Sequence, residues 1–566
     1  MFDDDNNLIK SDFEKASGFA NEFKKAFTID NGILPNITPL PILHPLLVPP
    51  DFSPCTIDTC LFKSNSSAAA GPDNLPGIFW HSMHSSISIP LSLIFSASFN
   101  SGNLPAVWKD SHVIPVYKKG DPSKFSNYRP IALTCIACKI METIIKDSLI
   151  DHLNLNNIIS KNQHGFLARH STGLQLLECV NDWTQAIENG KCVDICYIDF
   201  KRAFDSVSIN KLIHKLKHIG ISDLYISWLS TFLSNRQMSV KVNGTLSNSF
   251  PQTSGVAQGT SLGPLCFLIY INDLSMHIKN CILKLFADDA KIYFCYPRGN
   301  WSDLLQIDLN NITQWALLWQ LTISIEKTCM LYLGNGNSRN VYVLNNVNLT
   351  VVDSVKDLGV IVTSDLSWHM NVVEVVKKAS RISNAILHAF CSHDINLYMR
   401  AFNVYVSPLI EYCCYVWLPS LCCDIDLIEN VQRAFTRRAF KKCHLARIDY
   451  YNRLVILKQH TLEHRRVVLS LCTFYDIYHK FVCCNILDSF VRHNTGHVLR
   501  GHPHKLFIPF CRTDMRKKFF IFKIIYLWNA LPFNVINTNI TKAFAKRLYN
   551  TNLSNYMNFR HFVQYD

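Results

Sequence analysis

Three aspartates stand where they could do chemistry. Asp199 ends the β-type run Cys192-Val-Asp-Ile-Cys-Tyr-Ile198, and Asp288 and Asp289 sit together in Ala287-Asp-Asp-Ala290. Two short β runs, Ile282 to Phe286 and Lys291 to Phe294, flank that pair and give it a hairpin signature with carboxylates at the tip. Neighbouring carboxylates repel and raise one another's pKa, a penalty that a divalent cation between them removes. Hard oxygens with room for water suit Mg²⁺, or Mn²⁺, rather than zinc. Two such ions about 3.5–4 Å apart can activate an attacking hydroxyl and stabilise a leaving pyrophosphate. On this reading Asp199 and Asp288 bridge the metals and Asp289 is auxiliary. An isolated Asp-Asp is ordinarily only a polar turn, so the case depends on its surroundings.

Those surroundings predict a mixed α and β region from about residue 60 to 365, in which short β-rich runs alternate with amphipathic helices. After Asp199 the chain turns, and Asp205 to Ser208 offer N-cap chemistry to a helix. Its Ile209, Leu212, Ile213 and Leu216 share a face, and Gly220 closes it. Beyond about residue 370 strand signals fade and helical patterns dominate, as over Leu427 to Phe440. Residues 1–30 read as a short helical lead-in with Phe13, Phe19, Phe23 and Phe27 spaced for one face. The seven prolines of residues 35–54 suit an extended linker.

Bulk composition narrows the classes. A 566-residue chain that is 48% hydrophobic and 17% charged is globular, not disordered. No run approaches ~18 uninterrupted apolar residues, and the acidic start MFDDDNNLIK is not a secretory signal, so an intracellular protein is expected. The 21 cysteines include the adjacent pairs Cys413-Cys414, Cys422-Cys423 and Cys483-Cys484, and Cys135-x-x-Cys138 lacks a second pair at zinc-finger spacing. They read as reduced core residues. The net charge of +13 is concentrated late: residues 431–470 carry ten Lys/Arg against two Asp/Glu, and residues 501–550 nine against one. That is the footprint of phosphate-backbone binding, although a solvated surface would have the same composition.

The carboxylates belong to a set of motifs. Phe286-Ala-Asp-Asp289 resembles the x-A-D-D box of reverse transcriptases, Tyr197-Ile-Asp-Phe-Lys-Arg-Ala-Phe-Asp205 the first palm motif, and Ser254-Gly-Val-Ala-Gln-Gly-Thr-Ser-Leu-Gly-Pro264 the second. Ala70-Gly-Pro-Asp73, Ile114 to Asp121 with Asn127-Tyr-Arg-Pro-Ile131, and Gln163-His-Gly-Phe166 with Arg169 and Ser171-Thr172 are similar to finger motifs of the branch without long terminal repeats. Lys327, Lys356-Asp-Leu-Gly-Val360 with Trp368, Val431 to Arg437 and Trp528-Asn-Ala-Leu-Pro532 continue the likeness downstream. About eight motifs in register, from about residue 60 to 550, make the chain similar to jockey-like non-LTR reverse transcriptases.

The resemblance implies an α+β right-hand polymerase: fingers, a ferredoxin-like antiparallel palm, a helical thumb and a basic helical C-terminal region. The expected divisions are 1–59 for the lead-in and linker, 60–365 for fingers and palm, 366–450 for the thumb and 451–566 for the basic tail. It implies that the Phe200 carbonyl touches metal, that Phe204 excludes a 2′-hydroxyl, and that Arg129 with Lys118 or Lys119 grips the triphosphate. Lys327 would protonate pyrophosphate. Gln258 and Gly259 would meet base and primer. Arg433, Arg437, Arg438, Lys441 and Lys442, interleaved with Phe435 and Phe440, would meet nucleic acid, though Phe at helical spacing is usually core. RNA template, DNA primer and dNTPs would be the partners, with no membrane, and the nucleus enters through the family alone.

No nuclease constellation precedes the first motif and no RNase H follows the last, so the chain reads as a polymerase module. A viral RNA polymerase would favour Gly-Asp-Asp and an Asn in the second palm motif, against Ala-Asp-Asp and Gln258-Gly259 here. An intron maturase would bring its own domain, which is not evident. A decayed or domesticated retroelement protein that binds nucleic acid without catalysis is the alternative of a different class, and intact Asp199, Asp288 and Asp289 weigh against it.

Overall fold

The computed structural model describes residues 9–37, 48–299, 303–487 and 502–558. Most of the acidic start and the middle of the proline-rich stretch, residues 38–47, lie outside them. The lead-in folds as helix Asp12–Lys24, opened by a capping box between Ser11 and Glu14. Phe19 and Phe23 are buried, and Phe27 packs against the same cluster from beyond the helix end. Phe13 does not share their face and is exposed. Six residues before Phe19, at 3.6 per turn, it is rotated roughly 120° away.

At the centre lies a sheet of strands Lys191–Ile198, Ile282–Phe286, Asp289–Pro297 and Cys329–Leu333, with the short Thr350–Val351 added in parallel at one edge. The four long strands pair antiparallel in the order fourth, first, third, second. Helices Gly263–Ile271 and Leu304–Leu318 lie between the first and second and between the third and fourth strands, which makes the β-α-β-β-α-β unit of a split βαβ fold. Side chains alternate between two cores as the strand period of two requires. Cys196 and Ile198 join the core formed with those helices and the N-terminal half. Val193 and Ile195 join a second core, filled by helix Thr172–Glu188 and the C-terminal helices through Met557. Both faces are covered, so the strand shows no polar alternation.

A second sheet carries the upstream motifs. Strand Asp110–Tyr117 pairs antiparallel with Tyr128–Leu133 and parallel with Arg236–Val242, and helix Asp12–Lys24 packs on it. After the hairpin Ser354–Asp357/Val360–Thr363, the named elements among the described residues are helices, including His369–Ala389, Cys422–Lys442 and Leu462–Tyr478. All 21 cysteines are free, and only Cys55, Cys391, Cys422 and Cys423 are exposed, in keeping with a reduced core. Among the described residues no helix is long and apolar enough to cross a membrane.

Candidate active site

The register of the central sheet sets the three aspartates at one end of the sheet, within one another's field. Ile198 pairs with Ala290, so Asp199 leaves its strand beside the start of the strand that Asp289 begins. The hairpin closes with Phe286 opposite Asp289, which leaves Ala287 and Asp288 as a two-residue turn. Ala287 takes φ +54°, a left-handed conformation that an alanine adopts at a cost and that the surroundings must hold.

Residues 162–165 do the holding. Leu285 N donates to Asn162 O (2.8 Å), His164 N to Leu285 O (2.8 Å), and the Gln163 Oε1 accepts from Ala287 N (2.9 Å) and Gly165 N (2.8 Å). A Cβ on Gly165 would stand 2.4 Å from Ala287 N, so only glycine permits the approach. The sequence marks Gln163-His-Gly-Phe166 as a motif but assigns it no role. Its role is to clamp the carboxylate turn.

The electrostatics report the same convergence. Asp288, half-buried, is raised by burial and then by the charge of Asp199, while Arg129 and Lys118 pull it down. Asp289 is pushed up to about 6 by burial and then by Asp288, Asp357 and Asp199. Lys118 is lowered by burial and by its cationic neighbours Arg129 and Lys327, with Asp199 opposing. Lys118 thus stands in the field of Asp199. Lys327 Nζ lies 3.1 Å from Asp199 Oδ2, an exposed ion pair.

Among the described residues no three His, Cys, Asp or Glu side chains stand close enough together to hold a metal ion. The donors at hand are carboxylates in mutual repulsion beside the Phe200 backbone. All are hard oxygens, which fit Mg²⁺ or Mn²⁺ and suit neither a soft ion nor a zinc cage. The Phe200 ring is buried against Trp315, so its side chain belongs to the core.

The loop of the second motif joins the turn after Asp199 to the upstream sheet. Ser254 Oγ donates to Asp205 O (2.7 Å), Val256 N to Phe204 O (2.9 Å) and Gln258 Nε2 to Asp205 Oδ1 (3.4 Å). Ala132 N donates to Gln258 O (2.7 Å), three residues from Arg129. Gly259, at φ +119°, lies so close to Ala132 O that a Cβ would come within 2.3 Å. Phe204 is half-buried, stacked on Phe267 at 4.4 Å and met edge-on by the exposed Phe166 at 6.3 Å. Asp205 is the other residue to which the sequence assigns no role at the site. Burial pushes it up to about 6, with Asp288 adding to the rise.

The basic helix is less uniform than its charges suggest. Arg437, Arg438 and Lys441 are exposed, and Arg438 donates to the Asn384 side chain. Arg433 binds Asn430 Oδ1 (2.6 Å) and lies over the Tyr450 ring. Lys442 donates to the carbonyls of Leu387 and Phe390, capping the end of helix His369–Ala389. Phe435 and Phe440 are core residues and cannot stack on bases.

Known proteins match the domain that carries these residues. Residues 116–362 match the family model for reverse transcriptase (RNA-dependent DNA polymerase). The RNA-directed DNA polymerase from mobile element jockey of Drosophila melanogaster is 29% identical over 301 residues, covering 50% of this chain and 32% of that protein. A probable RNA-directed DNA polymerase from transposon X-element of the same organism is 24% identical over 400 residues, 68% of this chain and 44% of that protein. Another from transposon BS is 26% identical over 342 residues, 57% and 37%. The chain thus spans less than half the length of these curated relatives. Its motifs, its sheet order and these matches agree: residues 116–362 are a reverse transcriptase domain, of the kind carried by jockey-like retrotransposons that lack long terminal repeats.

Proposed function

We propose that this chain is an RNA-directed DNA polymerase that extends a DNA primer on an RNA template with deoxynucleotides. The observation that carries the reading is the Ile198–Ala290 register, which sets Asp199 beside the strand that Asp289 begins, with Arg129, Lys118 and Lys327 in the same field. The central sheet would be the palm, the 110–133 sheet part of the fingers, the helices of 366–450 the thumb and those of 451–566 a nucleic-acid-binding extension.

Asp199, Asp288 and the Phe200 carbonyl would hold divalent metal, with Asp289 beside them; bound there, Mg²⁺ or Mn²⁺ supplies Lewis-acid polarisation of a hydroxyl and a phosphate. The chain's own side chains supply the rest. Arg129 offers a bidentate fork and Lys118 a point charge to a triphosphate. Lys327 can leave Asp199 and hand a proton to the departing pyrophosphate. Phe204, fixed between Phe267 and Phe166, presents a ring edge where a ribose 2′-hydroxyl would collide. Arg433, Arg437, Arg438 and Lys441 would meet the phosphate backbone, and nuclear work would follow if synthesis is primed at the target.

Primer extension on poly(rA)/oligo(dT), with Asp288→Ala as control, tests the reading. Incorporation of dTTP supports it and a preference for UTP would point to an RNA polymerase. Duplex binding without incorporation would favour a domesticated protein.

A further inference from the structure

A buried ion pair lies directly beneath the carboxylates and takes no part in the chemistry above. Lys291, two residues past Asp289, and Asp357, the last residue of strand Ser354–Asp357, join Nζ to Oδ2 with side chains 4% and 6% exposed. They connect two hairpins that share no backbone pairing: the one bearing Asp288 and Asp289, in the central sheet, and Ser354–Asp357/Val360–Thr363, a separate two-stranded sheet. A cleft of about 160 Å³ opens between them, with Asp199, Asp289 and Lys327 on one side and Val355, Lys356 and Leu358 on the other. Tyr412 OH holds the turn of the second hairpin, next to Asp357, through Leu358 O (2.8 Å).

A buried ion pair is a poor device for stability, because desolvation offsets its attraction and an apolar pair of like volume does as well. What it supplies is direction. It has one geometry, where an apolar contact between two unpaired hairpins could slide. Ala290 and Ile292 on the same strand already anchor the hairpin to the core, so the polar pair adds register toward the second hairpin rather than burial.

We propose that Lys291 and Asp357 are positioning residues: their ion pair sets the separation between the Asp288–Asp289 turn and the 355–358 wall, and so where a nucleic-acid strand in the cleft presents its end to the carboxylates. The inference rests on the polymerase reading, and neither residue touches substrate.

Steady-state extension of oligo(dT) on poly(rA) tests it with Lys291→Met, Asp357→Asn and Lys291→Arg. The two neutral variants are expected to raise KM for primer–template, or lower kcat, by on the order of tenfold, leaving KM for dTTP within about twofold, while Lys291→Arg retains activity. Should a single variant fail to fold, the double variant Lys291→Met/Asp357→Leu leaves no charge unpaired and replaces it. A folded double variant is expected to show the same primer–template defect. Wild-type constants in the double variant, or losses that match the unfolded fraction in thermal melts, would overturn the proposal. A wild-type chain that extends no primer removes the polymerase reading, whereas an active wild type with indifferent variants removes only this inference.

Discussion

The carboxylate turn and the basic helix Cys422–Lys442 carry the two strongest charge signals of the chain, and they resolve in opposite ways. At the turn, Asp288 and Asp289 are raised by desolvation and by the charge of neighbouring carboxylates, with Arg129, Lys118 and Lys291 pulling the other way. The charge there is in excess of what the fold can neutralise, which is the state a site holds when its counter-charge comes from outside. In the helix, much of the charge is answered internally. Lys442 caps a neighbouring helix, Arg433 lies over Tyr450, and Arg453 and Arg466 from the following residues are buried. Arg516, from the second basic segment, is buried too and donates to Asn181 O (3.0 Å) and Gln185 Oε1 (2.8 Å). A count of charges therefore overstates the basic surface and understates the acidic site.

Substitutions can break or sharpen this contrast. Asp288→Ala should lower primer extension by at least about 10³-fold with the fold intact, because it removes a group the fold never satisfied. Circular dichroism alongside the assay checks both halves. Lys327→Ala should reduce rate by about 10²-fold and leave primer–template affinity unchanged, as single-turnover extension and anisotropy will read. Phe204→Val should relax the preference for dTTP over UTP by about tenfold, and unchanged discrimination would reject its role at the sugar. Reversing Arg437 and Arg438 to Glu should weaken duplex binding and make the salt slope shallower by about one for each phosphate that is no longer neutralised. Lys442→Met should leave that slope alone and cost about 1–3 kcal/mol of stability, since two helix-end carbonyls lose their donor.

Much of the architecture is legible from local chemistry. The strand before Asp199, the Ser208-capped helix and the hairpin around Ala287-Asp288 each have short-range causes, and each appears where the pattern places it: Ser208 Oγ accepts Lys211 N at 3.2 Å and Gly220 takes φ +75°. The motif Asn127-Tyr-Arg-Pro130 sets Arg129 on a strand, but whether that strand faces the carboxylates depends on Gln258 O meeting Ala132 N, a contact between residues 126 apart in the chain. The failure at Phe13 is one of phase. Phe435 and Phe440 follow the rule that Phe at helical spacing is usually core, although an aromatic on a basic helix looks the same in sequence whether it faces a core or a groove.

What the residues alone determined is the inventory: which carboxylates, which cations, and on which local element each stands, since caps, turns and alternation act over a few positions. Only the tertiary structure decided the pairings: Gln163 and Gly165 under the Ala287 turn, Asp205 beside Gln258, and Lys291 with Asp357. These join segments some 50 to 124 residues apart, and their geometry follows from strand register and core packing, which no local pattern encodes.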